Sequence, residues 1–525
     1  MSTNQMSQDE SLARKNEESR KQSFFRLRWV SVAIVSAILT LSGWALSSPI
    51  GSSPDDDYHL PSIWCGQGFR DGICEQSSET NKVKVPYTTF ANSGCFAFDN
   101  ETSGQCTYDA TLKPTDRVNL LKDLYPPVYY WTMSWFASSD IVASTLTMRI
   151  TNSLIAVLGL AMLISAIPIH ARRAPLVTLL ITSVPLGVFL IASTNPSGWA
   201  FFSLIMFISA FHGFITAKTT KSRIILGSLA GVFSLMAAGT RADAPIFVVL
   251  AMLLAFILSL SRKVFSRTNI IYSFVLLAAC VYFYFSVGTG PGVVAGGLGI
   301  PGTEETSAPS PIVTLAGIPN LWVGIFGVAG LGWLDTPMPA IVWSLTLGIF
   351  VSLIFTSVQW FNLKQSFAVG AALLFMTAIP LYILTQSGLQ VGQQVQPRYL
   401  LPLIALFSFA ALYRVSEQSG IQLTRAQILI IGFGLFVSNA IALHINARRY
   451  ITGMDVMSVN LDANAEWWWS DFPISASTVW LIATFGSALF LIAIWKLRNE
   501  LGISVQLKKE SLKEHSPTNI MPSLT

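Results

Sequence analysis

Apolar runs about as long as a bilayer is thick recur along the whole chain, each closed by a short polar or charged break. Crossing roughly 30 Å of hydrocarbon takes about 20 helical residues. Twelve segments approach that length: 29–46, 150–170, 175–193, 199–217, 224–238, 244–260, 270–287, 340–360, 367–384, 399–413, 428–443 and 478–495. The fifth and the tenth are short. The fold class expected from this pattern is an all-α polytopic membrane protein with about 12 transmembrane helices. A further apolar stretch at 311–337, ending GWLDTPMP, is expected to be re-entrant or interfacial, because a full crossing would invert every later loop.

The charges between the runs set an expected topology. Residues 1–28 carry Arg14, Lys15, Arg20, Lys21, Arg26 and Arg28 and no apolar core, which reads as a cytoplasmic basic tail before a retained first helix at 29–46. Basic residues recur at Arg172/Arg173, Lys218/Lys221/Arg223, Arg262/Lys263/Arg267, Lys364, Arg414/Arg425 and in the 496–525 tail, all on the cytoplasmic side of this arrangement. An even number of spans returns the C-terminus to the cytoplasm. The exported part is then a long loop at 47–149, followed by a multi-span domain at 150–495 with outer loops at 288–339, 385–398 and 444–477. The first of these opens with the Gly/Pro-rich GTGPGVVAGGLGIPG.

Composition agrees, with 52% of residues apolar and 12% charged against about 25% charged in a soluble domain. The net charge of +5 is spread over loops and forms no single patch, so it gives no indication of nucleic acid as a partner. Four of the five cysteines, Cys65, Cys74, Cys95 and Cys106, lie in the 47–149 loop. Two disulfides are expected; of three pairings the sequence-local one joins Cys65 to Cys74 and Cys95 to Cys106. The alternative is free or metal-binding thiols, although no CxxC or histidine spacing supports zinc. GxSxG, HExxH and GxxxxGK[ST] are all absent from the chain.

Candidate chemistry therefore lies in the exported segments, and first in PDDDYH. Three adjacent carboxylates are too costly for a membrane interior and place Asp55, Asp56 and Asp57 just beyond the first helix. Neighbouring negative charges raise the pKa of at least one, which suits a base that takes a proton from a hydroxyl. The same three could hold a divalent cation, or form a solvated turn introduced by Pro54.

A long loop right after the first span, opened by PDDDYH and closed by YPPVYYW before the second, resembles the membrane glycosyltransferases of the C-type fold (GT-C). More narrowly, PDDDYH resembles the P-D-E-x-x-H pattern of the bacterial multi-pass family named domain of unknown function 2142. YPPVYY, GWLDTPMP and RYLLP are similar to that family's landmarks, in the same order, over residues 47 to about 402. The family's Glu stands here as Asp56, and Asp57 is an addition. The resemblance implies a GT-C-like fold in which an acidic residue of the first outer loop acts on the acceptor and a polyprenyl-phosphate sugar is the donor.

Asp55 and Asp56 are then the candidate catalytic residues. A donor phosphate at headgroup level needs a cation, and Arg398, opening RYLLP at the outer end of the tenth span, is best placed to grip two phosphate oxygens, with Tyr399 adding a hydroxyl. An interfacial anchor is the plainer role for that arginine. Arg241 of GTRADAP is a second candidate, unless it simply pairs with Asp243; His59 and Tyr125 complete the expected substrate-binding set. His59 alone is equally a local hydrogen-bond partner, and Tyr125 to Trp131 an aromatic belt; Trp467 to Trp469 are either interfacial anchors or a surface on which sugars stack. The expected partners are the bilayer, a polyprenyl-phosphate sugar and an envelope glycan or lipid acceptor. A secondary transporter or flippase, or a non-catalytic assembly factor, are the competing classes; against a carrier, no two-half repeat is visible and the polar motifs cluster outside instead of near the midplane.

Overall fold

The computed structural model of the chain describes residues 3–288, 309–359, 361–414, 423–469 and 473–503, with side chains of the first helix from residue 23. Most of the Gly/Pro-rich stretch, Trp360, Asp471, the basic side chains before residue 23 and the tail beyond 503 lie outside these residues. The protein is mostly helical. Among the described residues ten helices are long and apolar enough to cross a membrane.

Three of the twelve expected spans are corrected. The one at 175–193 is two helices, Ile169–Ser183 and Leu186–Ile191, separated at Pro185, whose ring nitrogen has no proton to donate into a helical ladder. The segments at 244–260 and 399–413 are the shorter helices Ala244–Leu258 and Pro397–Leu412, each with a proline fixing its first turn. In exchange, Pro311–Val328 reaches the length and hydropathy of a span. Within it Gly317 lies against Val391, Trp322 Nε1 donates to the Met376 carbonyl at 3.4 Å, and Gly327 lies against Pro185. The chain then returns to Gly51, whose carbonyl accepts from Trp333 Nε1 at 2.9 Å.

Two boundaries also differ from expectation. The expected tail and first span form one helix, Thr3–Leu46, of 44 residues, about 66 Å long at 1.5 Å per residue and more than twice the hydrocarbon thickness. It packs along the last span, Ala476–Lys496, where Gly43 and Gly486 leave no room for a Cβ. Arg448 and Arg449, expected in a loop, form the last turn of the helix Arg425–Ile451.

The 47–140 segment is not purely helical. It carries a three-stranded antiparallel sheet with Val83–Pro86 between Glu75–Gln76 and Leu112–Thr115. Cys65 is bonded to Cys74 and Cys95 to Cys106, the sequence-local pairing, while Cys280 is free and buried.

The start of this segment, between the first helix and the helix Asp56–Trp64, has no ladder of its own, yet every carbonyl from Ala45 to Asp55 finds a donor. Arg149, 1% exposed, reaches those of Ala45, Ser48 and Pro49 at 2.8, 2.6 and 2.7 Å. Trp469 Nε1 donates to Leu46, Asn446 to Ser47, Asn92 to Ile50, Trp333 to Gly51, Tyr450 to Ser52 and Asn195 to Pro54. Ser53 accepts from Asp56 N, and Asp55 from Tyr58 N and His59 N. Asp335 of GWLDTPMP steadies the same region through Arg449, at 2.9 Å, which also donates to the carbonyls of Phe96, Asp99 and Thr102. Trp468 and Trp469 are buried in this packing and offer no exposed stacking surface.

An impermeant thiol reagent applied to intact cells is expected to leave Cys65, Cys74, Cys95 and Cys106 unlabelled until a reductant is added. Labelling of all four without reductant would contradict the two disulfides, and labelling that requires permeabilised cells would place the loop on the cytoplasmic side.

Candidate functional site

Asp55 occupies the residue before the helix Asp56–Trp64 with φ 59° and ψ 21°, in the left-handed region. Aspartate is among the few non-glycine residues that visit this region routinely, and a residue held there by its surroundings marks a place where function is worth seeking. Its carbonyl starts the helix, and its side chain makes no cap. The carboxylate is released to another partner: Oδ2 accepts from Arg398 Nη2 at 2.6 Å.

The three aspartates diverge, as neighbours at a helix start must when successive side chains turn by about 100°. Asp56, fully buried, accepts from Ser53 N at 3.1 Å and Thr194 Oγ1 at 3.0 Å. Asp57 pairs with Arg117 Nε at 2.6 Å. Each carboxylate has a different partner, and among the described residues no group of three His, Cys, Asp or Glu side chains converges on a common point. A divalent cation held jointly by Asp55, Asp56 and Asp57, one of the alternatives the sequence left open, finds no support in that geometry. Asp56 likewise stands apart from the cluster around Asp55.

Arg398, Tyr399, Arg241, His59 and Tyr125, distant in sequence, do assemble around Asp55. Arg398 is 4% exposed and the Asp55 side chain 36%. Arg398 Nη2 also donates to Tyr399 Oη at 3.0 Å. The Tyr399 ring lies near both guanidiniums, whose central carbons are 4.5 Å (Arg241) and 5.0 Å (Arg398) from its centroid; attraction to the ring face offsets part of the cost of bringing two cations together.

The two arginines differ in how far they are satisfied. Arg241 grips Asp243 with two parallel bonds, Nε to Oδ1 at 2.9 Å and Nη2 to Oδ2 at 2.8 Å, and gives Nη1 to Ser197 Oγ at 2.9 Å. Each of its three nitrogens already has a partner. Arg398 meets Asp55 through one nitrogen and one oxygen, and its Nη1 is buried with no hydrogen-bond partner among the described residues. An unmet donor on a buried guanidinium is expensive; buried Nε groups of other arginines, Arg149 and Arg449 among them, share that condition, and Arg398 Nη1 is the one η nitrogen so placed among the described residues.

The YPPVYY motif forms the wall behind Asp55. His59 Nδ1 and Tyr130 Oη are 2.8 Å apart, the Tyr125 ring stands edge-on to His59 at 5.2 Å, and Tyr129 Oη accepts from Asn152 at 3.2 Å. Burial pulls the His59 imidazole down to about 3, so it is neutral and serves as a hydrogen-bonding group. At Asp55 burial pushes the carboxyl up, yet the Arg398 guanidinium leads the opposing pull that leaves it below the usual range. At Asp56 burial prevails over the more distant Arg149 and the carboxyl rises to about 7. A cavity of about 600 Å³ between the first helix, Ile141–Ala166, Ile169–Ser183 and Ala476–Lys496 is lined mostly by apolar side chains, with Arg26, Arg172 and Glu500 among the exceptions, and contains none of the residues around Asp55. Volume therefore does not locate this chemistry.

A carboxyl whose native pKa is raised binds its proton more tightly when folded, so its contribution to stability is present below the ordinary carboxylate range and is lost as pH rises through about 7. Asp56→Asn is expected to fold, with its amide oxygen on Ser53 N and its amide nitrogen on Thr194 Oγ1. Its melting temperature should match the wild type near about pH 3, below the ordinary aspartate value, and exceed it by a margin that grows until about pH 7 and then levels off. A difference that shrinks as pH rises would contradict this reading of Asp56.

No curated protein matches the sequence. Among solved structures, the crystal structure of ArnT from Cupriavidus metallidurans bound to undecaprenyl phosphate overlaps 89% of this chain and 77% of its own, at 14% identity and a TM-score of 0.40, an overlap too loose to carry an argument. The family described as "Predicted membrane protein (DUF2142)" matches residues 24–407. The chain, with PDDDYH, YPPVYY, GWLDTPMP and RYLLP all inside that range, belongs to this family of multi-pass membrane proteins.

Proposed function

We propose that this protein is a GT-C-like membrane glycosyltransferase that moves a sugar from a polyprenyl-phosphate donor to a cell-envelope acceptor, with the 47–140 segment on the outer face and both termini in the cytoplasm. The observation that carries this reading is the half-satisfied Arg398 beside a left-handed Asp55. Arg398 opens the helix Pro397–Leu412, and this reading puts it at the membrane surface, where a lipid phosphate lies. Twelve crossings follow if Ala244–Leu258, Pro397–Leu412 and the broken pair 169–191 cross and 311–328 is re-entrant.

The geometry supports the following roles. Arg398, through Nη1 and with Tyr399 Oη beside it, holds the donor phosphate. Asp55 accepts the proton of the acceptor hydroxyl as that oxygen bonds to the anomeric carbon; the bond from that carbon to phosphate oxygen breaks, and polyprenyl phosphate leaves with the electron pair. The electron-rich leaving phosphate is stabilised by the fixed guanidinium. Arg241, Asp243 and Ser197 position Tyr399; Asp56, Asn195 and Arg149 position Asp55.

In reconstituted membranes supplied with polyprenyl-phosphate sugar, Asp55→Asn is expected to lower turnover by about a hundredfold or more, the usual contribution of a positioned base. Arg398→Lys should raise the donor KM and leave the acceptor KM unchanged, at normal membrane abundance, because an ammonium cannot reproduce the fork. Full complementation of a deletion strain's envelope glycan by Asp55→Asn would overturn the enzyme reading in favour of a carrier or assembly factor.

A further inference from the structure

The Asp55–Arg398 pair presents a difficulty for the chemistry just described. A carboxylate held at 2.6 Å from a guanidinium is stabilised in its charged form and is a weak base. The same guanidinium, engaged by that carboxylate, is not free to meet a phosphate with its full charge. As they stand, each group hinders the other's role.

We propose that the pair is a placeholder exchanged on donor binding: the lipid phosphate takes Arg398, and the Asp55 carboxylate so released becomes the base that receives the acceptor's proton. This inference rests on the glycosyltransferase reading above and adds its order of events. Three observations support it. The pair is joined by one nitrogen and one oxygen, whereas Arg241 and Asp243, a few ångströms away across Tyr399, form the full two-bond fork. Arg398 Nη1 is buried and unpartnered, so an incoming oxygen can bond there before Nη2 lets go. Asp55 keeps a side chain 36% exposed, leaving it free to turn toward an acceptor, while its backbone is fixed by the donors around residues 45–55.

The electrostatics of release run in the useful direction. Burial pushes the Asp55 carboxyl up and Arg398 pulls it down. A phosphate that neutralises Arg398 removes the largest single pull, so basicity rises when the donor is in place. His59, Arg117 and Arg241 pull in the same direction, each by less than Arg398; Arg241 is held by Asp243 and Arg117 by Asp57. An acceptor arriving without the donor meets a carboxylate that is still occupied.

A consequence separates this proposal from a simple donor site. If Asp55 competes with the phosphate for Arg398, removing its charge should tighten binding of the lipid phosphate while abolishing transfer. Binding of a sugar-free polyprenyl monophosphate to the purified full-length protein, followed by native mass spectrometry, tests this. Asp55→Asn suits the test because asparagine also tolerates the left-handed backbone. Its affinity is expected to rise about tenfold, the scale of one charged hydrogen bond no longer broken. Asp57→Asn removes a neighbouring negative charge without touching Arg398 and is expected to change affinity by less than about threefold. Equal tightening by both variants would reduce the effect to net charge and overturn the exchange, as would unchanged or weaker binding in Asp55→Asn. Arg398→Ala distinguishes the two levels: lost lipid-phosphate binding upholds the donor site whatever becomes of the exchange, and unaltered binding would remove the donor site and the exchange together.

Discussion

Backbone that is not helical near the membrane must have its carbonyls satisfied by the protein itself, because lipid offers no donors. The segment from Ala45 to Asp55 meets that constraint completely, with donors drawn from five distant parts of the chain. Arg149 alone serves three carbonyls, and Asn92, Asn195, Trp333, Asn446, Tyr450 and Trp469 serve one each. The result is an irregular strand of chain with little freedom to shift. At its end Asp55 is fixed in a left-handed conformation that sends its carboxylate toward Arg398. Loosening any of these donors would displace the carboxylate before it disturbed a transmembrane helix.

The same constraint explains what the sequence discloses and what it hides. Apolar length is a local property, so most spans are readable, and so is the cysteine pairing, because each bridge closes a short loop. The cluster of Asp55, Arg398, Tyr399, Arg241, His59 and Tyr125 was also within reach, since these residues sit in polar motifs at the ends of apolar runs. The donors to residues 45–55 were not. Arg149, Asn195 and Asn446 read as ordinary polar residues at helix edges, and each acts on a carbonyl between about 100 and 400 positions away. The divergence of the three aspartates follows from helix geometry once Asp56 is known to start a helix, and the DDD run gives no local sign of that start. The broken helix at Pro185 was obscured for the opposite reason: its apolar content is that of a span, and only the backbone path reveals the break.

Within the site, the division of labour between like residues is decided by saturation. Two arginines flank one tyrosine ring, and their hydrogen bonds separate them: every nitrogen of Arg241 has a partner in Asp243 or Ser197, and Nη1 of Arg398 has none among the described residues. Among the three aspartates, Asp56 is fully enclosed, Asp57 is tied to the exposed Arg117 at the rim, and Asp55 is the most exposed, beside the buried Arg398.

A structure of the protein with a polyprenyl monophosphate bound tests the central claim most directly. The account predicts a phosphate oxygen within hydrogen-bonding distance of Arg398 Nη1 and an Asp55 carboxylate no longer in contact with Nη2. A phosphate bound elsewhere, with the Asp55–Arg398 pair intact, would contradict it.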